Sequence, residues 1–196
     1  MQALCNKEIM VKRIIITLLL ISPAIAWSFY KPMRVLAPEL VSNISCNSSV
    51  ICIDNKSRSA EAKKLYDKAI EFVTTSIGKI DKKPKIIFCS TESCFKSFGF
   101  NKSTANTVGI SGIVISPRGW NPYYIRHEII HHLQSEKMGV ISQWCSPKWF
   151  TEGMAYSLSK DPRKELKEPY QGYRKKFSVW YKRIGNNELW KASKEI

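Results

Sequence analysis

The stretch NPYYIRHEIIHHLQSEKMG, residues 121–139, decides how the chain is read. Asn121-Pro122 supplies an N-cap residue followed by a first-position proline. Gly139 supplies a stop, so the spacing predicts a helix over 122–138. Ile125, Ile129 and Leu133 form an i, i+4, i+8 stripe, while Tyr123, Tyr124 and Ile130 fall nearer the histidines. A helix that is apolar on more than one side belongs in the middle of a fold.

All three histidines of the chain lie in this helix, at 127, 131 and 132. His127-Glu128-Ile129-Ile130-His131 reads H-E-x-x-H. Residues i and i+4 of a helix stand about 40° apart and one turn up, so two imidazoles there converge on one ion. Buried histidines need a partner, and a metal serves both at once. Glu128 is rotated about 100° from His127 and flanks the metal instead of binding it. Zinc lowers the pKa of a bound water toward neutrality, and a carboxylate beside it takes the proton as the water attacks a carbonyl. His132 is turned about 140° from His127, too far to reach the same ion. It reads as a structural group, or as one that supports a ligand.

A catalytic zinc site keeps three protein ligands and one open position. Gln134 and Lys137 stand where a metzincin would place its glycine and third histidine, so that pattern fails. Downstream comes Ser146-Pro147-Lys148-Trp149-Phe150-Thr151-Glu152-Gly153-Met154-Ala155. Over about 40 residues, from Asn121 to roughly Asp161, the chain resembles the gluzincins, the thermolysin-like and aminopeptidase-like zinc peptidases. In these a second helix carries a glutamate ligand in an aromatic-x-x-Glu-Gly-x-Ala setting. The resemblance implies a compact zincin-like domain, a small sheet packed on the active-site helix and a second helix. It implies zinc held by His127, His131 and Glu152, with Glu128 as general base. It also implies an edge strand just before the active-site helix that pairs with extended substrate, and Val108 to Ser116 (VGISGIVIS) stands there. One departure is Tyr156, where thermolysin-like members carry an acidic residue that bonds a ligand histidine. A partner for that histidine must come from elsewhere. The oxyanion donor that such chemistry needs falls to Tyr170 or Tyr173, whose other reading is packing at a helix start.

The rest of the chain frames this site. Residues 27–45 read as an extended lead-in, with Pro32 and Pro38 blocking a helix. Residues 50–53 and 85–89 read as strands, and residues 57–77 as an amphipathic helix with Leu65, Ala69, Phe72 and Val73 on one side. Residues 108–116 read as one further strand, whose Gly109 and Gly112 permit close backbone approach or a bulge. Helices are expected over 147–160 and 168–184. Strands first and helices later make the class α+β.

Lys7, Lys12 and Arg13 precede an apolar run from Ile14 to Ile21, and Ala24-Ile25-Ala26 follows. Residues 1–26 therefore read as a signal peptide or an N-terminal membrane anchor, with the metallopeptidase domain over 27–196. Export places the chain in the periplasm or outside the cell. Cysteine usage agrees, because Cys46/Cys52 and Cys89/Cys94 are spaced for local disulfides and not for a zinc knuckle. Cys145 is left free, or the pairing differs, since spacing does not fix connectivity.

With 44% hydrophobic residues the chain is not disordered. The net charge of +15, from 31 Lys+Arg against 16 Asp+Glu, is spread along the chain. It suits a solvated surface, or attraction to an anionic envelope surface or acidic substrates. No nucleic-acid-binding motif accompanies it. The expected partner is a peptide or protein substrate. The alternatives are a cell-wall peptide or other non-protein amide, and a zinc-binding envelope protein without turnover.

Overall fold

A computed structural model describes residues 30–196. The expected leader or anchor over residues 1–26 lies outside the described residues. The class is α+β, with a five-stranded sheet and seven helices among the described residues. The strands are β1 (Ser45–Cys46), β2 (Ile51–Ile53), β3 (Ile86–Phe88), β4 (Ala105–Val108) and β5 (Gly112–Ile115). Their order across the sheet is β1-β2-β3-β5-β4. The three inner strands run parallel, and the two edge strands pair antiparallel. Inner strands covered on both faces need apolar side chains at every position, which is why Ile86-Ile87-Phe88 and Ile113-Val114-Ile115 show no alternation.

The helices are α1 (Ser59–Ser76), α2 (Glu92–Ser97), α3 (Pro122–Met138), α4 (Val140–Cys145), α5 (Lys148–Leu158), α6 (Tyr170–Ile184) and α7 (Leu189–Ala192). Because strand side chains point alternately, the sheet divides the core in two. Ile51, Ile53, Ile86, Phe88, Ile113 and Ile115 share a cluster with residues of α1, α3, α5 and α6. Cys52, Ile87 and Val114 share another with Val35, Val41, Phe95 and Phe98. α3 is the central helix that its sequence suggested: nine of its 17 residues are buried, and it packs against α1, α5 and β4. Its first turn begins at Pro122, although the Asn121 side chain makes no capping bond, and Gly139 ends it at φ +87°.

Two expectations are corrected. Residues 108–116 are not one strand. Gly109 (φ +51°) and Gly112 (φ +154°) bracket a reversal closed by Ser111 N donating to Val108 O at 2.9 Å. The glycines adopt backbone angles that side chains disfavour, and so turn the chain back on itself. The edge strand is therefore β4, lying almost wholly upstream of the expected segment. The lead-in is not extended either. Lys31–Val35 and Pro38–Leu40 are 3₁₀ turns with proline in their opening positions. Proline blocks a helix interior but fits its first turn. Three short helices were not expected: α2, which Thr91 caps by accepting from Cys94 N at 3.1 Å, α4 and α7.

Cys46–Cys52 bridges paired positions of β1 and β2, and Cys89–Cys94 ties the end of β3 to α2. These two bridges suit an oxidising compartment. Cys145 is free and exposed. No helix among the described residues is long and apolar enough to cross a membrane.

Beside the proposed glutamate ligand, the tightest packing involves α6. A Cβ on Gly153 would lie 2.5 Å from Tyr173 O and 2.8 Å from Phe177 Cβ. Phe150 of α5 and Phe177 and Trp180 of α6 fill the same interface. Gly153→Ala should therefore lower stability by about 1–3 kcal/mol in urea unfolding, despite alanine's better helix propensity. A neutral or stabilising result would mean that the two helices do not meet this closely.

Candidate metal centre

α3 contributes two imidazoles and α5 one carboxylate to a single point. His127 Nε2 and His131 Nε2 lie 3.1 Å apart. Glu152 Oε2 lies 3.6 Å from the first and 3.7 Å from the second. A four-coordinate ion with ligand bonds near 2.0–2.1 Å spaces its donor atoms about 3.3 Å apart. The three donors therefore match what one small ion requires, and the group could hold a metal. The helix period brings the histidines together. The α4 turn and the antiparallel return of the chain bring Glu152 opposite them.

The three side chains are mostly buried, so their charges act strongly on one another. Burial opposes protonation of His131, but the hydrogen bond to Glu152 and its charge, helped by Glu128, push the imidazole up to about 9. For Glu152 burial again opposes the charged form, yet His127 and His131 hold its carboxyl well below the usual range.

Glu128 is buried and lines the same cavity as the three donors. Thr107 Oγ1, on edge strand β4, lies 2.7 Å from Glu128 Oε2 and 3.0 Å from Glu128 O. The hydroxyl fixes where this carboxylate points. Tyr170 reaches the cavity, whereas Tyr173 does not line it and stands with its ring 6.2 Å from that of Tyr170. His132 faces away. Its Nε2 donates to Lys82 O at 2.8 Å, with Glu136 at 3.4 Å, so it fastens the loop before β3.

Four groups at the site have no role in the sequence reading, although it notes Tyr156 and Gln134 as departures from family patterns. Tyr156 stands one turn beyond Glu152, and its ring lies 4.5 Å from that of His127. Burial, and then the Glu152 charge, push its phenol well above the usual range. The i+4 spacing from Glu152 could have pointed to it. Thr107 could not have been found, because its strand was misplaced. Gln134 accepts from His131 Nδ1 at 2.9 Å, one turn along the same helix. Arg163 lines the cavity with its guanidinium 5.8 Å from the Tyr156 ring, paired with Asp161.

No family model matches the chain, and neither a curated protein nor a solved structure does.

The electrostatics predict how the metal-free chain responds to pH. A histidine held above its unfolded value of 6.5 contributes its full stabilisation below that value and loses it as pH rises through about 9. After chelation, the thermal midpoint should fall between pH 6.5 and 9, and fall less in His131→Ala. A wild-type midpoint that is flat or rising across that window would contradict the charge arrangement.

Proposed function

We propose that this chain is an exported zinc-dependent hydrolase of the gluzincin type, cleaving peptide bonds in a zincin-like domain. The observation that carries the reading is the convergence of His127 Nε2, His131 Nε2 and Glu152 Oε2, with separations of 3.1–3.7 Å, beside a buried Glu128. Nitrogen and carboxylate donors in a three-ligand set suit zinc with one position left open. Zinc, when bound, would acidify a water and polarise the substrate carbonyl.

The chain's own residues would do the rest. His127, His131 and Glu152 hold the ion. The Glu128 carboxylate would take the proton of the attacking water and return it to the leaving amine. Thr107 keeps that carboxylate oriented from the edge strand. Tyr170 is the reading's candidate to donate to the developing oxyanion from the cavity wall, and Tyr156 stands closer to the metal ligands. Tyr173, the other candidate, stands behind Tyr170 with its ring 6.2 Å away and is not part of the cavity wall. A peptide or protein is the substrate. The net charge of +15 favours a substrate or envelope surface that is anionic.

Incubating wild type and Glu128→Gln with a proteome-derived peptide mixture separates turnover from metal binding. Wild type should produce new termini, detected by mass spectrometry. The variant should keep its zinc and lose at least about 10²-fold in rate. Equal product patterns from both would rule out this mechanism. His131→Ala and Glu152→Ala should each lose the zinc by elemental analysis, while retention of a full equivalent would remove that residue from the ligand set.

A further inference from the structure

The third residue after His131 is Gln134, a wholly buried amide whose two ends face different chemistry. Its Nε2 donates to Thr151 O at 2.9 Å and lies 3.3 Å from Met154 Sδ. A main-chain carbonyl can only accept, so the amide cannot be turned over. The carbonyl end, Oε1, must then face His131 Nδ1 at 2.9 Å, and that nitrogen must carry a hydrogen. In a neutral imidazole with Nδ1 protonated, the lone pair lies on Nε2, the atom aimed at His127 and Glu152.

Gln143, on α4, braces this arrangement. Its Nε2 donates to His131 O at 2.8 Å and to Gln134 Oε1 at 3.1 Å. Its orientation is fixed by the same reasoning, since His131 O only accepts. Gln143 Oε1 is then left to accept from Ser135 Oγ. Every polar atom of both side-chain amides is satisfied, and each role is dictated by a main-chain carbonyl.

His127 has no equivalent support. Among the described residues no hydrogen bond reaches its Nδ1, and its ring is held by the edges of His131 and Tyr156. The partner expected four residues after Glu152 is replaced by Tyr156, and the support that His131 receives comes from α3 and α4.

We propose that Gln134 is a positioning residue for the metal centre. It holds His131 with Nδ1 protonated and ties α3, which carries two donors, to the carbonyl next to the third donor on α5, with Gln143 as its brace. An amide suits this task because it accepts from the histidine and donates to Thr151 O at once, which an ionised carboxylate cannot do. This inference rests on the metal reading above but makes a separate claim, because it concerns affinity and proton placement and not turnover.

The test measures zinc affinity by chelator competition, together with the His131 Nδ1–H resonance of zinc-loaded, ¹⁵N-histidine-labelled full-length protein. In wild type the Nδ1 proton should be protected from exchange. In Gln134→Leu the protected signal should be lost and zinc should bind 10–100-fold more weakly, the usual consequence of removing a ligand's hydrogen-bond partner. Gln134→Glu, which keeps an acceptor and nearly the same shape, guards against failure of the leucine variant to fold. It should retain the protected proton and bind zinc more tightly than Gln134→Leu, or, where that variant does not fold, within tenfold of wild type. A folded Gln134→Leu protein with wild-type affinity and a protected Nδ1 proton overturns the proposal. So does a folded Gln134→Glu protein that has lost the protected proton. If wild type takes up no zinc, the metal reading fails and this inference fails with it. If wild type binds zinc and the variants are indifferent, only the inference fails.

Discussion

Everything at the cavity depends on one constraint: a carboxylate on α5 is held against two imidazoles on α3 in a place with little water. Removing such groups from solvent costs several kcal/mol per charge unless each finds an opposite partner. Here the partner is mutual, and the surrounding structure keeps it so. The sheet buries one side of α3, α1 covers another, and the close approach of α5 to α6 across Gly153 holds the helix that bears Glu152. The tight core thus has a functional consequence, because a loose α5 would let the carboxylate move into solvent.

The same constraint explains why polar groups are concentrated in a buried helix. His127, Glu128, His132, Gln134 and Ser135 all lie inside on α3, where a polar atom without a partner is costly, and His132 Nδ1 is such an atom. Thr107 serves Glu128, Lys82 O serves His132, and the two glutamine amides serve His131. Ser135 Oγ lies near both His131 O and Gln143 Oε1, so it joins the same set. The edge strand, the loop before β3, α4 and α5 are each fastened to α3 through a polar contact. These contacts place the apolar layers in register around the cavity as well as satisfying buried atoms.

Much of this was legible in the sequence because it depends on local periodicity. The i, i+4 spacing places His127 and His131 together, the proline and glycine mark the limits of α3, and the apolar runs at 50–53 and 85–89 mark β2 and β3. The two disulfides followed from short spacings. Contacts between distant segments were harder to read. Thr107 lies 21 residues before Glu128, on a strand whose position was obscured by two glycines that close a hairpin. Tyr170 and Tyr173 both open α6 and lie one turn apart on neighbouring positions, so the sequence does not separate them, and only Tyr170 lines the cavity. Gln134 was counted only as the residue that spoils a metzincin pattern. Its role depends on Thr151 O, 17 residues away, which fixes the direction of its amide.

The central claim is that one ion is bound by His127, His131 and Glu152. X-ray absorption at the zinc edge of the loaded protein tests it most directly. The account predicts about one zinc per chain, a first shell of nitrogen and oxygen near 2.0–2.1 Å, and the multiple-scattering signature of two imidazoles. Glu152→Ala should weaken or abolish that occupancy. A sulfur shell near 2.3 Å, pointing to a cysteine such as Cys145, would contradict the account, as would a shell with no imidazole contribution.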